Sequence, residues 1–226
     1  LGDDVAGAEI SAEFLTDGLD CSLVRTCPGL RSPVSSILVD SAGERLVVSY
    51  SDPAMPVDPS WLPDVLPKGI DVVSGDSRWP EGSMKIFRLA KQAGIPSLLD
   101  GDRKTEMALV EAATRVAFSE QGIAETTGIP DAHAALAALG SSSRNWLAVT
   151  LGAKGVIHWD GEKIIHVPGF KVDVVDTLGA GDVWHGAFAL ALGEGQDDMS
   201  AIRFASAAAA LKCTRFGGRK GAPSRF

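Results

Sequence analysis

The chain has 226 residues, 45% hydrophobic and 22% charged, enough to bury one substantial core and too few for two full-sized domains. A formal net charge of −8 and a pI near 5.0 exclude a protein that tracks nucleic-acid phosphates with a broad basic surface. No apolar run reaches the roughly 18 residues of a membrane span, and no basic flank precedes an apolar core at the start of the chain. Cys21, Cys27 and Cys213 cannot all pair within one chain and none sits in a CxxC, so a reducing, cytoplasmic setting is expected.

From Val5 to about Leu19 apolar residues recur at helical spacing, and short β-rich runs follow at Ser22–Arg25, Val34–Val39 and Leu46–Tyr50. Asp40-Ser41-Ala42-Gly43 between the last two reads as a hairpin turn. Beyond Pro59 strands alternate with helices: Asp71–Ser74, 81–93, Pro96–Asp100, 104–113 and Arg115–Phe118. Such alternation is what a parallel sheet flanked by helices requires. An Ala-rich stretch at 132–138 suits a close-packed helix, and Trp146–Leu151 reads as a buried strand. Two more β-runs, 155–159 and 163–167, are joined by Asp160-Gly161, a hairpin signal. Helical patterns then cover Gly181–Leu192 and Met199–Arg215. The expected fold is a three-layer α/β/α sandwich, with a small β-sheet lid contributed by about 22–52.

The most informative segment is Asp176-Thr177-Leu178-Gly179-Ala180-Gly181-Asp182, which runs straight into the helical Val183–Phe188. Small residues at 179–181 let backbone N–H groups converge at the positive end of a helix, which suits an anion such as phosphate. A tight glycine turn capped by Asp182 explains the same residues equally well. There is no GxxxxGK[ST], and Trp184 stands where a third dinucleotide-binding glycine would be. The histidines, His133, His158, His166 and His185, show no metal-ligand spacing, and no GxSxG is present.

The run Asp176–Asp182 resembles the C-terminal signature of ribokinase-type (PfkB) carbohydrate kinases, DTxGAGD, at every fixed position. Gly2-Asp3-Asp4-Val5-Ala6-Gly7 resembles the family's GDDxxG, Thr150-Leu151-Gly152-Ala153-Lys154-Gly155 its TxGxxG, and Leu211–Gly218 its closing nucleotide-side loop. The resemblance implies an ATP-dependent sugar kinase in which Gly179, Ala180 and Gly181 hold the transferring phosphoryl group and Asp182 is the base. It implies ATP contacts at Thr150, Gly152, Lys154 and Gly155, with Ser206 and Ala209 on an adenine-side wall. It also implies one ribokinase-like domain spanning 1–226, with its N-terminal strand and sugar-binding turn lying before Leu1.

One departure concerns the metal. The family's NxxE near Mg²⁺ falls on Phe118-Ser119-Glu120-Gln121-Gly122, with Ser119 for Asn and Gly122 for Glu, which leaves either Glu120 to act on Mg²⁺ through water or the metal to be held mainly by ATP. For the sugar, Asp4 belongs to GDDxxG, Asp76 and Arg78 resemble an acid-x-Arg turn of ketohexokinase-like members, and Asp102-Arg103 follows the next strand. Trp184-His185-Gly186-Ala187-Phe188 is similar to the sulfofructose kinase and ketohexokinase branches, which points to a ketose or a related, including anionic, sugar. A nucleoside kinase of the same fold and a non-catalytic sugar or nucleotide sensor are the alternatives. Asp176 and the loop after Thr214 resemble the family's cation neighbourhood, so K⁺ stimulation is expected, and the lid is expected to pair in a homodimer.

Overall fold

The computed structural model describes residues 1–39 and 45–224. The chain divides into two compact units, Leu1–Leu62 and Pro63–Phe226.

In the first unit, helix α1 (Val5–Thr16) starts on Asp4, whose carboxylate accepts the Gly7 N–H at 2.9 Å as an N-cap. The same side chain accepts the Ser32 hydroxyl at 2.7 Å and the Ser32 N–H at 3.0 Å, tying the helix start to the segment before the hairpin. Strands β1 (Val34–Val39) and β2 (Arg45–Tyr50) pair antiparallel, with Val34 opposite Tyr50, Ser36 opposite Val48 and Leu38 opposite Leu46. These residues share one face of the ribbon, while Ser35, Ile37, Val47 and Ser49 share the other. The expected turn at Asp40–Gly43 lies outside the described residues. Ser22–Arg25 is not a strand. Asp20 accepts the Ser22 N–H at 2.8 Å in a local turn, and Trp61 instead fixes the segment, donating to Leu23 O and lying 4.7 Å beneath the Arg25 guanidinium.

The second unit holds a six-stranded sheet in sequential order. Its strands are β3 (Val73–Asp76), β4 (Ser97–Gly101), β5 (Arg115–Ser119), β6 (Trp146–Thr150), β7 (Val156–Trp159) and β8 (Ile164–Val167). The first four are parallel, and β7 and β8 complete the sheet antiparallel, joined by the expected Asp160-Gly161 turn, in which Asp160 accepts two backbone N–H groups. Helices α2 (Pro80–Ala93), α3 (Met107–Ala112), α4 (Glu120–Thr127) and α5 (Ala132–Gly140) lie between successive strands, and α6 (Ala180–Gly193) and α7 (Asp198–Cys213) follow β8.

Strand periodicity sorts the core into two layers. Leu99, Val116, Phe118, Leu147 and Val149 face a cluster with Phe87, Leu109 and Leu136 from the inter-strand helices. Their neighbours Leu98, Ala117 and Ala148 face Phe188, Ala191, Ile202 and Ala205 of α6 and α7. The small Ala117 and Ala148 let α6 approach the sheet, and the parallel strands therefore present their carboxyl ends to the start of α6. Among the described residues no helix is long and apolar enough to cross a membrane.

Candidate active site

The signature turn is the start of α6. Gly179 is the N-cap residue with φ 74°, a left-handed backbone that favours glycine, and no side chain caps the helix. Asp182 is therefore not a cap: it is the third residue of α6, and it is exposed. The Ala180 N–H donates to Thr177 O and the Val183 N–H to Gly179 O, whereas those of Gly181 and Asp182 have no acceptor among the described residues. Two such donors at the positive end of a helix are suited to hold an anion, and Asp182 itself carries a carboxylate on the same turn.

A cavity of about 540 Å³ opens next to this turn. Ala180 and Gly181 line it together with Thr150, Gly152, Gly155, Ser206 and Ala209, so five of the six residues expected at the nucleotide are brought together. Lys154 does not line the cavity; its carbonyl accepts from His166 Nε2 at 2.8 Å, which turns that part of the loop toward β8. Ser206 Oγ accepts the Trp184 Nε1–H at 3.2 Å, which leaves the indole plane stacked on Phe188. Phe170, Val172 and Val174, in the irregular stretch after β8, were not anticipated as lining. Their signal in the sequence is the alternation with Lys171 and Asp173, which reads as a strand rather than a pocket wall.

At the carboxyl ends of β3 and β4, Asp76, Arg78, Asp102 and Arg103 converge. Asp76 accepts the Arg78 N–H at 2.8 Å, the Arg78 guanidinium pairs with Asp102, and Arg103 Nε lies 3.5 Å from the other Asp102 oxygen. That oxygen, Oδ1, and the hydroxyl of Ser77 are buried without a hydrogen-bond partner among the described residues.

The sequence reading missed Asp100 and His185, which lie between this edge and the turn. His185 Nδ1 is 2.8 Å from Gly181 O and 3.4 Å from Asp100 Oδ2, and its Nε2 is 3.1 Å from Ala117 O, so one ring bridges α6, β4 and β5. Burial pushes the Asp100 carboxyl up to about 6 against the lowering effect of His185, with Asp102, Asp182 and Asp76 adding to the rise. A carboxyl raised in the folded state binds its proton more tightly there than when unfolded, so stability is lost as pH rises from about 4 to 6. Urea denaturation of wild type and Asp100→Asn at pH 4, 5, 6 and 7 should show wild type losing stability relative to the variant across that window. A difference independent of pH would contradict it.

The departure from NxxE has a steric reason. Ser119 caps α4 by accepting the Gly122 N–H at 2.9 Å, and a Cβ on residue 122 would sit 1.8 Å from Gly101 O. A glutamate cannot stand there without moving the end of β4. Glu120 occupies the first turn of α4, and among the described residues no three His, Cys, Asp or Glu side chains cluster as a metal cage. Mg²⁺ keeps several of its waters, so an ion carried on nucleotide phosphates would need few protein ligands. In the neighbourhood expected for K⁺, Lys212 Nζ donates to Asp176 O at 2.8 Å and lies 3.5 Å from Asp176 Oδ2. Asp4 belongs to the first unit, where capping and Ser32 engage both its oxygens.

A mixed α/β sheet whose parallel strand ends meet the start of α6, beside a cavity, is the ribokinase-like fold. The chain belongs to the pfkB family of carbohydrate kinases, whose model matches residues 1–225. It is 29% identical to a ribokinase of Lactococcus lactis over 228 residues, covering 99% of this chain and 74% of that protein. A solved structure from Agrobacterium tumefaciens, 36% identical, superposes with a TM-score of 0.86 over 100% of this chain and 76% of its own. The structure of Arabidopsis thaliana ribokinase complexed with ribose and ATP is 26% identical, with a TM-score of 0.82 over 100% of this chain and 77% of that one. Membership makes the chain an ATP-dependent carbohydrate kinase, a phosphotransferase with an alcohol acceptor.

Proposed function

We propose that the chain transfers the γ-phosphoryl group of ATP to a hydroxyl of a ketose or a related sugar in the cytoplasm, with Asp182 as the base. The observation that carries this reading is the pair of N–H groups on Gly181, which lines the cavity, and on the adjoining Asp182, neither with an acceptor among the described residues, with a carboxylate on the same turn. ATP lies in the cavity with its γ-phosphate on those donors, and the sugar approaches from the Asp76–Arg103 edge. Asp182 accepts the hydroxyl proton as the sugar oxygen bonds to γ-phosphorus, the bond from γ-phosphorus to the β-phosphate oxygen breaks, and ADP leaves. Backbone donors fixed at a helix start need no reorganisation during the step, and the proton departs late in a loose transition state, so an ordinary carboxylate suffices. Bound with ATP, Mg²⁺ supplies neutralisation of charge on the β- and γ-phosphates.

Arg78 and Arg103, both held on Asp102, suit a sugar with an anionic substituent. Ribose is the second reading, favoured by the names of the relatives above. Coupled measurement of ADP release with fructose, ribose, an anionic ketose and a nucleoside tests both and covers the nucleoside alternative. Release stimulated by none of them would leave the non-catalytic sensor as the better reading.

The hairpin is proposed to act as the lid and to pair with a second copy of the chain. Leu38 and Leu46 on its apolar face are each 60% exposed, and Val48 and Tyr50 flank them. A two-stranded ribbon with such a face is marginal alone in water. Light scattering at micromolar concentration should give twice the chain mass, and a monomer with unchanged sugar affinity would overturn the pairing.

A further inference from the structure

We infer that the protein carries its monovalent cation as a side chain: the Lys212 ammonium fills the place expected for K⁺, and nucleotide binding is therefore indifferent to dissolved monovalent cations. This rests on reading the 176–182 turn as the phosphate site.

Lys212 stands in the last turn of α7 and is 0% exposed. A lysine that deep persists as a cation only if oxygen ligands replace its water. Those ligands are on Asp176, the first residue of the signature: the backbone carbonyl at 2.8 Å and carboxylate Oδ2 at 3.5 Å. They are the hard carbonyl and carboxylate oxygens that a K⁺ ion would also use. A second positive ion on the same oxygens would meet the ammonium at contact distance.

The pair also has a mechanical consequence. Asp176 Oδ1 accepts the Leu178 N–H at 2.8 Å, within the signature turn, and Oδ2 accepts the Gly217 N–H at 2.9 Å, in the loop after α7. The Val175 and Asp176 N–H groups both donate to Cys213 O, the residue next to Lys212. The Leu178 and Gly217 N–H groups, with Lys212, hold the Asp176 carboxyl below the usual carboxylate range. The ammonium and the carboxylate thus clasp the end of α7, the 217 loop and the turn that leads to Gly181. A diffusible cation at this place would order the same three segments, but only when bound.

The test compares melting temperature and ADP affinity in K⁺, Na⁺ and tetramethylammonium chloride at equal ionic strength. Wild type should give the same values in all three, to within about twofold in Kd. K⁺ tightening ADP binding by about fivefold or more over tetramethylammonium, or raising the melting temperature selectively, would overturn the inference. Lys212→Met, with similar length and no charge, should bind ADP at least about tenfold more weakly in tetramethylammonium and regain affinity in K⁺. A Lys212→Met protein with wild-type affinity in tetramethylammonium would also overturn it. If that variant does not fold, the wild-type salt series decides alone. Failure to bind ADP in any salt, with a melting temperature indifferent to K⁺, would count against the phosphate-site reading and not against Lys212 as the resident cation.

Discussion

Asp182→Asn is expected to lower kcat by roughly 10²–10⁴-fold, the usual contribution of a positioned general base. The substitution keeps the shape of the side chain and removes only its charge. No cap bond is lost, because Gly179 is the N-cap and no side chain caps α6. The cost to folding is limited to the interaction of one negative charge with the helix dipole, under about 1 kcal/mol. Nucleotide affinity should hold or rise, since a carboxylate next to the phosphate cradle is gone. Measuring kcat, ADP affinity and melting temperature together separates the roles. An Asn variant with more than about a tenth of wild-type kcat, or one that loses stability instead of turnover, would contradict the assignment of Asp182 as base.

Gly155→Ala should damage fold and nucleotide site at once. Gly155 has φ 99° and ψ −136°, a conformation that side chains rarely adopt, and it closes the turn between β6 and β7. A Cβ there would lie 2.1 Å from Val167 O and 2.5 Å from Gly169 N. Backbone strain and overpacking each cost on the order of 1–3 kcal/mol, so a loss of about 3 kcal/mol or more is expected. The same turn carries Gly152, and the strand end it presses on leads to Phe170, so both walls of the cavity shift. Weaker ADP binding should accompany the lower melting temperature. An Ala variant with wild-type values for both would show that this turn does not shape the pocket.

The turn at 176–182 was legible because its chemistry is contiguous: small residues, a carboxylate and a helical run adjoin in the chain. The sheet was legible because its buried strands are short apolar runs separated by helix-length segments. Whether Asp182 caps the helix was not, since this depends on which residue takes the left-handed backbone, and Gly179 and Gly181 are equally able to. Asp100 and His185 escaped notice because strand order and the start of α6 bring them together, and no spacing records that. Lys212 was hidden for another reason: a lysine in the last turn of a helix reads as a solvated end, favourable with the helix dipole. Only packing shows that it is enclosed and bonded to Asp176. The strand expected at Ser22–Arg25 failed because Asp20 takes the Ser22 N–H into a local turn, a competition that β-propensity does not register.

The central claim is that the free amides at the start of α6 receive the phosphates of a nucleotide lying in the adjoining cavity. Backbone ¹⁵N–¹H shifts, recorded while MgADP and then a non-hydrolysable ATP analogue are titrated into the protein, test it most directly. The account predicts that Thr150, Gly152 and Gly155 shift with either nucleotide, and that Gly181 and Asp182 shift further when the γ-phosphate is present. Saturable binding that leaves Gly181 and Asp182 unmoved would contradict it.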